Sequence, residues 1–195
     1  MQTFLPYADF VKSAQALDYR RLGKQRVEGM QILNALSPDY KHKGWVNHPA
    51  TQMWKGYEQA LRVYVNVMID EWKSRGYKNT MEFYDVNYSQ LRVPAWLHQP
   101  ELHKSHRVNL LRKDYDFYAG LFVDDAILST QEIESYPYWW PVENGFTVNS
   151  NLFTKWRVWM NLTKPLEKNM ESENDDIICD VCRDEPATNV ECIEG

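Results

Sequence analysis

The sequence predicts a mainly α fold, a compact bundle of three to four main helices joined by aromatic-rich loops. Along several stretches the apolar residues recur at intervals of three and four, which is the spacing of one helix face. Glycine (8) and proline (9) are scarce among the 195 residues, so few positions interrupt a helix. A hydrophobic share of 44% with 25% charged residues is typical of a globular domain.

Each predicted element has its own pattern. In the second helix, Ser37-Pro38-Asp39 ends a stripe expected to face the core, made of Leu22, Val27, Met30, Leu33 and Leu36. The third helix has the most regular pattern, and a glycine after basic residues marks its end. Aromatic and β-branched residues near the C-terminus allow a small hairpin. The predicted elements are helices over 8–17, 18–36, 50–76 and 104–122 and the hairpin over 146–163.

Charge divides the chain into two parts. Residues 167–195 contain ten acidic and two basic residues, a net charge of −8. Residues 1–166 contain 20 basic and 17 acidic residues, a net charge of +3. We therefore predict a helical domain over 1–166 and an acidic tail over 167–195, which is either disordered or a partial zinc knuckle. Cys179, Cys182 and Cys192 in the tail suit zinc, but a fourth ligand must come from elsewhere.

Simple counts exclude several classes of protein. No run of eighteen apolar residues occurs, which argues against a membrane-spanning helix. A basic stretch followed by an apolar one is missing at the N-terminus, so a secretory signal is not expected. The three cysteines all follow residue 178, which excludes a disulfide framework. The sequence indicates a cytoplasmic protein with no membrane partner.

The second helix carries a dense group of charged side chains between residues 20 and 28. Arg21, Lys24, Gln25 and Glu28 are expected to share one face, opposite the apolar stripe. About 10.5 Å separates the first from the last, so long side chains could converge on one phosphate or one sugar. A solvated face with a Lys24–Glu28 ion pair is the alternative.

Two further segments are candidates for binding anions. Asn47 suits the cap of the third helix, which places His48 at the positive end and favours a neutral imidazole or a bound anion. In the last helix, phosphate is a better partner than a metal, because no carboxylate or third histidine is near in sequence. The side chains expected to point towards it are His103, His106, Arg107 and Asn109.

These segments resemble the pyrimidine-dimer DNA glycosylase/AP-lyase family, also called the endonuclease V-like family. The stretch from Tyr19-Arg20-Arg21-Leu22 to Arg26-Val27 is similar to the family's Tyr-Arg-Glu-Leu-Pro-Arg-Val helix. The segment from His48 to Tyr77 is similar to its long central helix. A branch that opens Met-Gln-Thr-Phe-Leu-Pro-Tyr and carries Arg-Leu-Gly-Lys-Gln-Arg-Val-Glu is more similar still. The resemblance covers residues 1–142.

The resemblance implies an all-α body that bends duplex DNA and extrudes a nucleotide. The α-amine of an N-terminal threonine attacks the sugar C1′ and forms an imine, a helix glutamate supports this chemistry, and no cofactor is required. Here Arg21 stands at the glutamate position, so Glu28 is the replacement. Residue 2 is a glutamine, too large for normal removal of Met1, so the amine is that of Met1 or, as runner-up, of Lys24. Without an amine, Glu28 would activate water and leave an abasic site uncut.

We predict a DNA repair enzyme that removes a damaged or modified base from double-stranded DNA, with or without strand cleavage. The alternatives are a non-catalytic module that binds DNA or modified nucleotides, and a protein-binding adaptor. The candidate catalytic groups are Glu28, Lys24, the terminal amine of Met1 and His48. The candidate DNA-binding residues are Arg20, Arg21, Gln25, Arg26, Asn47, His103, His106, Arg107 and Asn109.

Overall fold

The computed structural model describes residues 1–41, 44–142 and 145–149, and these form the mainly helical fold that the sequence predicts. The helices are α1 (Phe10–Ala16), α2 (Tyr19–Leu36), α3 (Pro49–Gln52), α4 (Glu58–Ser74), α5 (Pro100–Lys113), α6 (Tyr115–Tyr118), α7 (Val123–Ala126) and α8 (Thr130–Ser135). Two 3-10 turns lie at Tyr88–Gln90 and Ala95–His98, and strand β1 (Tyr138–Val142) pairs antiparallel with β2 (Gly145–Asn149). Within the described ranges, no helix is long and apolar enough to cross a bilayer. The acidic tail, with the zinc prediction for Cys179, Cys182 and Cys192, lies outside these residues.

Helices α2 and α4 pack closely at the centre of the fold. Gly29 makes the approach possible, because a Cβ atom there would lie 2.4 Å from Cγ2 of Val65. A Cβ atom on Gly23 would lie 3.0 Å from the ring of Trp72. This contact buries apolar surface of two long helices and fixes the side chains that each of them presents.

Helix α2 has its predicted length, but its buried face differs from the predicted one. Asp18 caps the helix by accepting hydrogen bonds from the backbone N–H groups of Arg20 and Arg21. Val27 is 39% exposed, which corrects its assignment to the core. The buried residues of the helix are Leu22, Gln25, Gly29, Ile32 and Ala35. Gln25, predicted on the charged face, therefore points into the core.

The helix predicted over 50–76 is in fact two helices. The chain turns at Gly56, whose φ of +83° is a left-handed conformation that suits glycine. The Gly56 N–H group donates to Oε1 of Glu58 at 2.9 Å, next to the start of α4. At the other end of α4 the prediction is confirmed, because Gly76 follows the helix with a φ of +80°.

The observed boundaries of the last long helix and of the hairpin also differ from the predicted ones. The helix predicted over 104–122 starts at Pro100 and ends at Lys113, because Asp114 is non-helical and caps the short helix α6. The hairpin pairs 138–142 with 145–149, earlier than the predicted 146–163. Residues 150–163 lie outside the described part of the chain.

Arg75 joins the C-terminal ends of α4 and α1. Its guanidinium donates to the carbonyl oxygens of Ala14, Gln15 and Leu17 at 3.1, 2.9 and 2.7 Å. It also donates to Oε1 of Glu71 at 2.6 Å. Carbonyl groups at a helix C-terminus have no partner within the helix, so the arginine satisfies groups that would otherwise depend on water.

We expect Arg75→Ala to lower the free energy of unfolding by about 2 kcal/mol, because it removes charge-assisted hydrogen bonds to several carbonyl groups. Urea unfolding monitored by circular dichroism measures this. Lys78→Ala is the control, since Lys78 is exposed and its side chain should change stability by less than about 0.5 kcal/mol. Equal losses in the two variants would contradict the role of Arg75.

Candidate active site

The first residues of the chain form an irregular segment that runs through the core. Thr3, Phe4 and Leu5 are at most 3% exposed. Backbone N–H and C=O groups that are buried in this way need hydrogen-bond partners, and no strand among the described residues pairs with the segment to supply them. Side chains from the helices supply these bonds instead.

Two side chains bind the backbone of Phe4. Its N–H group donates to Oε1 of Gln25 at 2.8 Å, and its carbonyl oxygen accepts from the Tyr64 hydroxyl at 3.0 Å. The same hydroxyl lies 2.7 Å from Oε1 of Gln25. Burial raises the pKa of Tyr64 well above its usual value, so this hydroxyl stays protonated.

Two histidines of α5 bind the backbone of Leu5. The Leu5 N–H group donates to Nδ1 of His106 at 2.8 Å. The Leu5 carbonyl oxygen lies 2.8 Å from Nδ1 of His103, whose Nε2 is 2.6 Å from the Leu97 carbonyl. His106 is fully buried and stacks on Tyr138 at 4.8 Å between ring centroids. Both imidazoles therefore bind the backbone of Leu5 inside the core.

The side chain of Thr3 is part of the core. Its hydroxyl accepts a hydrogen bond from Nε1 of Trp54 at 3.0 Å and is completely buried. The nitrogen of Thr3 is part of a peptide bond, two residues after the terminal amine. This leaves the amine of Met1 as the terminal nitrogen of the folded chain.

Side chains from α2 and from the start of α3 lie near the terminal amine. The N–H group of Gln2 donates to Oε2 of Glu28 at 3.2 Å, which places Met1 beside this half-buried carboxylate. Burial lowers the pKa of His48, and the positive charge of the terminal amine lowers it further. In the described part of the chain, the amine forms no ion pair with a carboxylate.

His48, rather than Asn47, caps helix α3, which corrects the predicted cap. Its Nδ1 accepts from the N–H group of Ala50 at 3.1 Å, so this nitrogen carries no proton. The ring lies 5.3 Å from that of Trp45 and 5.9 Å from that of Trp140. The prediction of a neutral imidazole at this helix start agrees with these contacts, whereas Asn47 is exposed and makes no cap.

Glu28 has charged and polar neighbours from three parts of the fold. Nε2 of Gln25 donates to its Oε2 at 3.3 Å. Burial lowers the pKa of Lys113, as do the charges of Arg21 and Lys24, whereas the charge of Glu28 acts in the opposite direction. These effects indicate that the ammonium group of Lys113 lies within electrostatic reach of the carboxylate.

Tyr138, in strand β1 of the hairpin, also interacts electrostatically with Glu28. Burial raises the pKa of its hydroxyl, and the charge of Glu28 raises it further. Asn109, which is half-buried, lies beside the same hydroxyl. Sequence reasoning missed Lys113 and Tyr138, because neither is near α2 in the chain and only packing brings them to Glu28.

Arg20 and Lys24 remain on the exposed side of α2. Nε of Arg20 donates to the Tyr19 hydroxyl at 2.9 Å, and the guanidinium is in water. A shallow depression on this surface is lined by Tyr19, Arg20, Gly23, Lys24, Val27, Glu28, Gln31 and Trp72. The exposed cations thus border the same depression as the carboxylate.

Two arginines of α2 that were predicted to bind DNA have partners within the protein. Arg21 donates to Asp18 at 3.0 Å and to Asp114 at 3.3 Å, which ties α2 to the end of α5. Arg26 stacks over the ring of Trp72 at 4.1 Å and donates to Asn79. Their place in a phosphate-binding surface is therefore corrected, because these cations already have protein partners.

The predicted phosphate contacts on α5 are corrected for the same reason. Arg107 pairs with Asp125 and donates to the Pro6 carbonyl oxygen at 3.0 Å. His103 and His106 are 7% and 0% exposed, so their rings face the N-terminal segment and not the solvent. Gln25, at 0% exposure, is likewise unable to contact DNA.

The fold and this site define a helical protein with a terminal amine, a carboxylate and a basic surface close together. Residues 1–85 match the model of the pyrimidine dimer DNA glycosylase family, which supports the family that the motifs predict. The description of that family is of a DNA glycosylase, a DNA repair enzyme that acts on DNA. The matched part contains the N-terminal segment and helices α1 to α4, including Glu28 and His48. Neither curated proteins nor solved structures gave a significant match.

We expect the stability of the protein to fall as the pH decreases from about 7.5 to 5, because His106 is buried as the neutral imidazole. Burial lowers its pKa to about 3, and the charges of His103 and Arg107 contribute. In the unfolded chain the pKa is about 6.5, so the unfolded state binds the proton first and the loss is about 2 kcal/mol at pH 5.

Urea unfolding at several pH values measures this loss. The control is His106→Gln, which cannot titrate and should show a flatter dependence over the same range. Parallel curves for the two proteins would show that His106 does not cause the pH dependence.

Proposed function

We propose that the protein is a DNA base-excision enzyme whose nucleophile is the terminal amine of Met1, with Glu28 as the carboxylate that supports the sugar chemistry. The proposal rests on the hydrogen bond from the Gln2 N–H group to Oε2 of Glu28, at 3.2 Å. This bond joins the residue next to the amine to the acid that replaces the family's glutamate. The match over residues 1–85 supports a DNA substrate.

The chemistry would proceed by displacement at C1′ of the damaged or modified nucleotide. The neutral amine would form a bond to C1′, while the bond from C1′ to the base breaks and the base leaves with the electron pair and gains a proton. Loss of a proton from nitrogen and opening of the sugar ring, with protonation of O4′, would give an imine. Removal of a C2′ proton from this imine, with cleavage of the C3′–O bond and departure of the phosphate, would then cleave the strand.

Glu28 and His48 are the groups that could move these protons. A carboxyl group beside the sugar can donate a proton to O4′ and later accept one. His48 keeps a neutral ring next to the amine, because its pKa is lowered by burial and by the ammonium charge. With Nδ1 bonded to the Ala50 N–H group, Nε2 carries the proton of this neutral ring and could donate it to the leaving base.

Two lysines are alternative amines, Lys24 on the exposed side of α2 and Lys113 at the end of α5. Lys113 lies within electrostatic reach of Glu28, and Lys24 borders the same depression as Glu28. We favour Met1 because the segment behind it is anchored by buried hydrogen bonds, which hold an amine in one place. A lysine side chain loses more conformational freedom before it can react.

We expect borohydride to trap a covalent adduct with duplex DNA that contains an abasic site, and peptide mapping to find it on Met1. The unmodified protein should also remove bases from ultraviolet-irradiated duplex DNA. Glu28→Gln should slow both reactions by about a hundredfold or more, since a proton-transfer group is lost, while DNA affinity changes little.

Lys24→Ala and Lys113→Ala are the matched controls for the amine. An adduct on either lysine would reject Met1 as the nucleophile. Base removal without any adduct would instead support an enzyme that activates water with Glu28. Binding to DNA without any product would support the non-catalytic module.

We propose that DNA approaches the side of α2 that carries Arg20 and Lys24. Both cations are exposed, and they border the depression that contains Glu28. Phosphate contacts by such side chains release counterions and make binding depend on salt. Arg21 and Arg26 have protein partners and are left out of this surface.

We expect Arg20→Ala and Lys24→Ala each to weaken DNA binding and to reduce the slope of log K against log salt by about 0.9. Fluorescence anisotropy with a labelled duplex at several salt concentrations measures the slope. Arg92→Ala is the control, because Arg92 is exposed near Gly56 and Glu58 at the opposite end of α4. A slope that changes equally in all three variants would place the DNA elsewhere.

A further inference from the structure

We propose that Gln25 is a positioning residue that fixes the terminal amine and Glu28 relative to each other. The inference rests on the proposed function, because it assigns a role within the same site. Gln25 is completely buried in the middle of α2, so it neither reaches solvent nor contacts a nucleic acid. Its amide group is nevertheless bonded on both sides, towards the N-terminal segment and towards the carboxylate.

The amide oxygen of Gln25 holds the N-terminal segment. It accepts from the Phe4 N–H group at 2.8 Å and lies 2.7 Å from the Tyr64 hydroxyl. The amide nitrogen donates to Oε2 of Glu28 at 3.3 Å. That oxygen also accepts from the N–H group of Gln2 at 3.2 Å, so one buried side chain and one carboxylate close a ring with residues 2–4.

The donors and acceptors fix the orientation of this amide. Reversing it would bring the NH2 group of Gln25 against the Phe4 N–H group, which is also a donor, and its oxygen against the carboxylate of Glu28. Both contacts would be repulsive. In the observed orientation the contacts with Phe4 and with Glu28 each join a donor to an acceptor.

No other residue type satisfies all of these contacts. A leucine or methionine would leave the Phe4 N–H group buried without a partner. A glutamate would keep the acceptor but would place a second negative charge beside Glu28. Asparagine is shorter by one methylene group and would not reach both partners.

The position of Phe4 determines where the amine lies. Three residues separate Phe4 from the chain end, a span of at most about 10 Å, so a shift at Phe4 is passed on to Met1. Leu5 is held independently by His106, which fixes the direction of the chain on the other side of Phe4. Both donors to Glu28 use Oε2, and in the described residues Oε1 has no hydrogen-bond partner, which leaves it for the sugar.

The test compares three variants of the full chain by single-turnover borohydride trapping on abasic-site duplex DNA. Gln25→Met should reduce the trapping rate by about 10- to 100-fold, because the amine loses its fixed position, while DNA affinity stays within about threefold. Gln25→Glu should keep Phe4 in place but shift the acid limb of the pH–rate profile to higher pH, since two neighbouring carboxyl groups share a proton. Tyr118→Phe is the control, because it also removes a buried hydroxyl, one that bonds Asp18, and lowers stability but keeps the bonds of Gln25 and Tyr64 to Phe4.

Amide hydrogen exchange measured by NMR gives a readout that needs no activity. In Gln25→Met the amides of Gln2 and Phe4 should exchange at least about tenfold faster relative to that of Leu5, while in Tyr118→Phe they should not. Unchanged exchange, or a trapping rate that falls equally in Gln25→Met and Tyr118→Phe, would overturn the inference. Absence of trapping in the unmodified protein would reject the proposed amine chemistry instead, and the exchange rates would still decide whether Gln25 fixes the segment.

Discussion

The hydrogen bonds between the buried N-terminal segment and the side chains of α2, α4 and α5 are the constraint on which the structure depends. Within the described part of the chain no strand pairs with this segment, so its polar groups are paired by Gln25, Tyr64, His103 and His106. A buried N–H or C=O group without a partner costs about 1–3 kcal/mol, so each of these polar residues is required where an apolar one would otherwise fit.

This constraint explains why so many polar residues that resemble ligand-binding groups lie in the core. Imidazole and amide groups can both donate and accept, which allows them to satisfy a backbone that has left regular secondary structure. The same pairing keeps the chain end at one place beside Glu28. The fold therefore joins stability and site geometry, and a substitution in the core can change reactivity without contact to a substrate.

The cations separate into two groups by the same physical reasoning. Arg21, Arg75 and Arg107 have carboxylates or several carbonyl groups as partners and hold elements together. Arg20 and Lys24 are exposed and available to a polyanion. Since an arginine with several fixed partners must lose them before it binds a phosphate, a count of basic residues overestimates the DNA-binding surface.

Local signals in the sequence were sufficient for the helical class, the length of α2, the glycine after α4 and the family. The family could be predicted because the motifs around Tyr19 and Glu28 are contiguous, and the match over residues 1–85 supports it. The break at Gly56 escaped prediction, because apolar periodicity continues across a left-handed glycine and does not report backbone conformation.

Only the tertiary structure decided which polar residues are buried and which are exposed. Gln25 and Glu28 are three residues apart on one helix and look equivalent in sequence, yet one is sealed in the core and the other borders the surface. That difference arises because the N-terminal segment covers Gln25, and Lys113 and Tyr138 reach Glu28 from distant parts of the chain. Periodicity records the average polarity of a helix face, whereas burial of an individual amide depends on which backbone group needs it as a partner.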